Sequence, residues 1–398
     1  MARSIPALVN RKMLTWARKE AGYSIESAAE KARLPVNKLV AWEEGDSLPT
    51  VSQAEKLAKL YARSYSVFYL SKPPETIPLA SEYRRLFGVK PGEESPELRV
   101  ALRQMIHRRK IALDLLEEFG KKPDLFSLKA YLTENPEIIG KRLRKELGIT
   151  LKEQFEWPNE FHAWSAWRAT IEDFGVMVFQ FYKVALTEVR GISLFDFPLP
   201  VIGVNNKEIP ASKPFSLLHE LIHIMLANAQ EEKPAILDNR PAEEWAHVER
   251  FAEAAAGAVL MPTDALSAEP LVSERSAYDN LFIQDVVKLA RRYKVTPKAV
   301  ATRLLQLNYC SSSVYSRWSK EWEAYLTEHP PKTGGGFATP AQKALNRNGY
   351  TFTGLVLDAL SLGRITAVKA SRYLELNFPH IETLRRNLAM ARAVESEA

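Results

Sequence analysis

Cysteine is almost absent from this 398-residue chain. Cys310 is the only one, so no intramolecular disulfide can form, and a reducing, cytoplasmic location is expected. Long apolar runs are missing too. No stretch approaches the roughly 18 residues that suggest a membrane span. Residues 1–10 lack the apolar region of a signal peptide, and no membrane partner is expected. No internal repeat covers the chain. Histidine is scarce as well, with seven in all, which makes a pair of them four residues apart worth close reading.

What is present is ordinary globular chemistry. Hydrophobic residues make up 46% and charged residues 26%, enough apolar content for a sizeable core. At roughly 100–200 residues per domain, the length predicts two to four units. The net charge of +6 is unevenly spread. Residues 1–72 carry 12 Lys/Arg against 7 Asp/Glu, an excess of five positive charges. That bias is compatible with nucleic-acid contact without establishing it.

Composition shifts divide the chain. A first segment, residues 1–75, closes on Ser71-Lys72-Pro73-Pro74, where two prolines stop a helix. Residues 76–156 form a helical connector. Within it Leu98, Leu102, Met105, Ile106, Ile111, Leu115 and Leu116 make an apolar stripe at helical spacing. The basic run Arg108-Arg109-Lys110 reads first as a solvated helix face and second as a nucleic-acid contact. The character changes after Trp157. Three short apolar segments, residues 176–181, 191–195 and 199–204, read as strands. An apolar helix follows from about Pro214, and a core domain spans residues 157–275. Residues 276–328 form a helical extension. In it residues 283–293 and 298–307 make a small helix–turn–helix-like pair around Val295-Thr296-Pro297. A flexible Pro/Gly linker at residues 328–336 leads to a small helical C-terminal unit, residues 337–398. The fold class expected is mainly α with a small β-sheet (α+β).

The chemistry sits in Leu218-His219-Glu220-Leu221-Ile222-His223. On a helix, positions i and i+4 share a face about 6 Å apart, so His219 and His223 can grip one ion. Glu220 lies where it can reach a metal-bound water. Zinc lowers the pKa of that water towards about 7, and a carboxylate can then act as general base for attack on a peptide carbonyl. No charge other than Glu220 occurs between Lys213 and Glu231. Polar groups on so apolar a helix need partners, and a metal supplies one. A core helix with satisfied histidines is the bland alternative.

A catalytic zinc site takes three protein ligands and a water. The third is expected on the helix read over residues 246–257. There Glu249 and Glu253 share a face at i, i+4. Glu249 is the expected ligand and Glu253 the expected carboxylate behind a ligand histidine, with His247 as a competitor for the third place. Two histidines and a carboxylate suit Zn²⁺ and also accommodate Mn²⁺ or Fe²⁺.

These residues, His219-Glu220-Leu221-Ile222-His223, Glu249-Arg250-Phe251-Ala252-Glu253 and Val259-Leu260-Met261-Pro262, resemble the ImmA/IrrE family of metallopeptidases. Glu253 stands where that family often has asparagine. The resemblance implies a zincin-like metallopeptidase core, gluzincin-like in its glutamate ligand, and a protein substrate such as a transcriptional repressor. The N-terminal segment resembles an XRE-type (Cro/C1-like) helix–turn–helix, a five-helix module. Its first helix is read at residues 10–21 and its second at 24–32, with Ser24 as N-cap. Leu34-Pro35-Val36 forms the turn and residues 36–44 the recognition-type helix. Residues 52–61 make a fourth helix. In such modules the recognition helix enters the major groove, which assigns duplex DNA contacts to Val36, Asn37 and Lys38 and makes a homodimer a natural reading state. Glu43, Glu44 and Asp46 make that edge acidic, which favours a protein-docking alternative. Taken together, the sequence reads as a DNA-associated regulatory zinc endopeptidase that cleaves a specific partner protein. The alternative is a transcriptional regulator whose zinc-site domain senses without proteolysis.

Overall fold

The computed structural model describes residues 5–74, 79–84, 86, 89–90, 92–274, 276–330 and 338–396. It is mainly helical with one three-stranded sheet, the α+β class expected. The N-terminal module contains α1 (Arg11–Glu20), α2 (Ile25–Ala32), α3 (Val36–Glu44) and α4 (Val51–Leu60), then a 3-10 turn at Tyr65–Tyr69. Local chemistry sets each start. Asn10, Ser24 and Thr50 accept from the backbone N–H of Lys12, Ser27 and Gln53, which satisfies donors that a helix N-terminus leaves bare. Gly45 ends α3 at φ 92°, a conformation glycine adopts without a side-chain penalty. Leu39 and Trp42 of α3 join Leu14, Leu57 and Phe68 in a core private to this module.

Helix α5 (Pro96–Glu118) follows, then α6 (Pro136–Glu146), α7 (Leu151–Glu156) and α8 (Glu160–Asp173). The strands are β1 (Met177–Phe181), β2 (Gly191–Leu194) and β3 (Val201–Asn205). They lie in the order β1-β3-β2, with β3 parallel to β1 and antiparallel to β2. Every strand residue is buried, as a sheet covered on both faces requires. Alternation divides the side chains between two cores. Val178, Ile202 and Val204 enter one core, while Met177, Phe179, Phe181 and Val201 enter the other.

The first core lies under α9 (Lys213–Asn228) and α10 (Ala242–Leu260), with α6 and α8. Gly140 on α6 lets α10 approach closely, since a Cβ there would collide with Ala258. Short turns α11 (Thr263–Ser267), α12 (Pro270–Ser273) and α13 (Ser276–Asp279) lead to α14 (Ile283–Tyr293), α15 (Pro297–Gln306) and α16 (Ser312–Glu328). Val286, Leu304 and Trp318 extend the same core. The linker residues 331–336 lie outside the described residues.

The second core joins α5 to the C-terminal helices α17 (Pro340–Asn348), α18 (Tyr350–Ser361), α19 (Ala367–Leu374) and α20 (Ile381–Ser396). Phe352 meets Phe179 edge-on, ring centroids 5.8 Å apart. A buried pair ties this unit to α8. Arg168 donates to Glu172 Oε1 at 2.9 Å and to Asn346 O at 2.8 Å, and Glu172 Oε2 accepts from Thr351 N at 2.7 Å. In the basic run on α5 Lys110 is exposed, but Arg108 and Arg109 are not on the solvated face that their charge suggests. Arg108 is buried against Glu375 at 2.6 Å, and Arg109 bonds Leu199 O and Asp196. Long arginine stems buried along apolar surface, with heads on carboxylates and carbonyls, stitch α5 to the sheet and the C-terminal unit. Among the described residues, no helix is long and apolar enough to cross a membrane.

Candidate metal centre and DNA interface

Helix α9 is apolar all round. Leu217, Leu218, Leu221, Ile222, Ile224, Met225 and Leu226 are buried, as expected of a helix enclosed by its neighbours. One turn separates His219 from His223, and their Nε2 atoms lie 3.1 Å apart. Helix α10 crosses beside them and supplies Glu249. Its Oε2 is 3.4 Å from His219 Nε2 and its Oε1 3.6 Å from His223 Nε2. One ligand atom from each of the three lies within 4.8 Å of every other. Glu220, on the same helix, reaches β2, where the Ser193 hydroxyl donates to its Oε2 at 2.5 Å. Gly191 on that strand makes room, because a Cβ there would sit 2.7 Å from Glu220 Cγ.

Two further side chains complete the site, and nothing local in the sequence marks either. The loop after α9 brings Glu232 under His223, with Oε2 2.7 Å from Nδ1. Arg84 arrives from 136 residues upstream of Glu220. Its Nε and Nη2 donate to the two oxygens of Glu220 at 2.9 and 2.8 Å, and its Nη1 donates to Glu249 Oε1 at 2.8 Å. Glu253 is exposed at the rim of the cleft, and the carboxylate behind His223 is Glu232. Position 253 lies one turn along α10 from Glu249, past the ligand cluster, whereas His223 Nδ1 faces the loop. His247 is exposed on another side of α10.

Electrostatics follow from burial and these neighbours. Burial opposes the charge on Glu220, but the Arg84 guanidinium outweighs it and holds the carboxyl down at about 2. The same contest, with Arg84 and the histidines as opponents of burial, keeps Glu249 well below the usual carboxylate range. Burial pushes Glu232 up to about 8, and burial with the Arg84 charge holds His223 well below the usual imidazole value. In the tautomer with the imidazole proton on Nδ1, facing Glu232 Oε2, the Nε2 lone pair points at His219 and Glu249. His219 shifts the other way. Burial opposes its charge, but Glu249 outweighs burial and raises it. The donors therefore draw positive charge to their meeting point. Two imidazole nitrogens and a carboxylate oxygen, converging beside a second carboxylate, Glu220, fit a zinc ion with an open position.

In the N-terminal module, Val36, Asn37 and Lys38 open α3 and are exposed, while Leu39 and Trp42 anchor the helix from behind. The acidic edge is partly neutralised. Glu43 is held by Arg18 through two bonds of 2.7 and 2.8 Å. The module rests on α5 by another side, where Arg103 reaches Glu20 and Tyr61 O and Lys31 meets Glu97 at 2.9 Å.

Comparison with known families agrees with both halves. Residues 171–305 match the model of the IrrE N-terminal-like domain, a peptidase family, and residues 14–68 match a helix-turn-helix model. No curated protein matches the chain. The chain thus joins an XRE-type helix–turn–helix to an ImmA/IrrE-type peptidase domain, the architecture of a DNA-binding regulator with a protease domain.

Proposed function

We propose that this chain is a DNA-associated regulatory zinc endopeptidase that cleaves one specific partner protein, such as a transcriptional repressor. The observation that carries the reading is the meeting of His219, His223 and Glu249 around one point beside Glu220, in a chain that also carries a helix–turn–helix. His219, His223 and Glu249 would hold the ion. When bound, zinc supplies Lewis acidity and a water acidic enough to lose its proton near neutral pH. Glu220 accepts that proton and passes it to the leaving amine, and Glu232 fixes the ring of His223. Val36, Asn37 and Lys38 face the major groove, asparagine suited to adenine and lysine to guanine or phosphate. Cys310, a buried thiol, suits a reducing cytoplasmic setting.

The test is a search for new protein N-termini in a cell lysate incubated with the zinc-loaded chain, against a Glu220→Gln control. A small set of cleavages present only with the parent chain supports the reading. Identical profiles would favour the non-proteolytic sensor, a reading that the Arg84 bonds to Glu220 also favour.

A further inference from the structure

Strand β2 is an edge of the sheet, and it runs beside the helix that carries the metal ligands. An edge strand offers unpaired N–H and C=O groups to which an extended polypeptide can add. Here the chain's own backbone takes that place. Arg84 N donates to Ser193 O at 3.2 Å, Phe195 N donates to Glu82 O at 3.2 Å, and Tyr83 pairs antiparallel with Leu194. From this added strand Arg84, 5% exposed, engages both oxygens of Glu220 and one of Glu249. The cleft left beside it measures about 290 Å³, at the lower limit of the roughly 300–1,000 Å³ of drug-sized pockets.

We propose that residues 82–84 are a built-in block: they occupy the edge of β2 that a substrate strand would use, and Arg84 holds Glu220 and Glu249 until the segment is withdrawn. The inference rests on the peptidase reading and adds its regulation. The segment is anchored at two points. The Tyr83 hydroxyl donates to Glu94, and Ala235 N donates to Tyr83 O at 2.8 Å. Glu94 is paired with Arg99, and Arg99 reaches Glu20 O in the N-terminal module. The block therefore lies at the end of a contact chain that begins in the helix–turn–helix. A cation held at this point also competes with a metal for Glu249, so withdrawal and metal loading are linked.

The experiment uses the full chain and its Arg84→Ala variant, with three readings. Zinc affinity by chelator competition should rise about tenfold in the variant. Amide exchange at Phe195 should accelerate, since its acceptor belongs to the segment that Arg84 pins. The yield of new protein N-termini from a cell lysate incubated with the zinc-loaded chain should rise at least tenfold, and the gain should vanish in Arg84→Ala/Glu220→Gln. Lower zinc affinity, with Phe195 exchange unchanged, would overturn the block and make Arg84 a positioning residue that supports the site. Higher zinc affinity and faster exchange with no lysate cleavage in either form would uphold the block and count against the peptidase reading instead. Should Arg84→Ala misfold, Arg84→Lys retains the charge but not the two-point grip, and half-way shifts in zinc affinity and exchange are expected. Shifts of opposite sign would sink the proposal.

Discussion

Glu232 Oε2 lies 2.7 Å from His223 Nδ1, and both side chains are fully buried. This contact decides which ring nitrogen of His223 is free. Loss of a carboxylate behind a ligand histidine typically costs 10–100-fold in metal affinity. Glu232→Ala is expected to weaken zinc by that factor in a chelator competition, while Glu253→Ala, at the exposed rim, leaves it within about twofold.

Removal of Glu249 should go further. Its two oxygens are 3.4 and 3.6 Å from the ring nitrogens of His219 and His223, so it stands where a third ligand must. Glu249→Ala is expected to lose more than 100-fold in zinc affinity, beyond the range of a supporting residue. Elemental analysis after dialysis checks this. Metal retained at the parent level would remove Glu249 from the ligand set.

The exposed start of α3 carries the DNA prediction. The full chain should bind duplex DNA with an affinity that falls as salt rises, because neutralised phosphates release counterions. If Lys38 contacts a phosphate, Lys38→Ala lowers the slope of log affinity against log salt by about one. Asn37→Ala should relax sequence choice at one base pair, worth about 1–3 kcal/mol. Titrations at several salt concentrations read both. A salt-independent affinity would turn the module into a protein-docking unit.

The Arg168–Glu172 pair should be structurally costly to break. Both side chains are 2% exposed, and together they hold Asn346 and Thr351 at the junction of α17 and α18. Removing one partner of a buried pair leaves the other charge uncompensated, at about 3–5 kcal/mol. Arg168→Ala is expected to lower the melting temperature and to expose the C-terminal helices to limited proteolysis. Unchanged melting would show that this contact does not hold the unit in place.

Much of this organisation was legible from spacing alone. The recognition-type helix, residues 36–44, follows from Pro35, the Leu39/Trp42 face and Gly45, all local signals. The strands follow from short apolar runs bounded by turn residues, and His219 and His223 from helical periodicity. Glu249 needed only one more helix. Arg84 and Glu232 were not legible. Arg84 sits in a charged stretch 135 residues before His219, and only the pairing of residues 82–84 with β2 carries it into the cleft. Glu232 depends on the path of one loop. Arg108 and Arg109 mislead for a related reason: charge suggests solvent, but their partners, Glu375, Leu199 and Asp196, come from distant parts of the chain.

The central claim is that Glu220 is the proton acceptor of a zinc peptidase. Gln at this position keeps the size and one acceptor oxygen but cannot take a proton near neutral pH. The decisive measurement is the cleavage rate of the lysate-identified substrate by the parent chain and by Glu220→Gln, with zinc content determined on the same samples. The expected result is equal zinc with a rate lower by about 10²–10⁴-fold. Equal zinc with equal rates would contradict the mechanism.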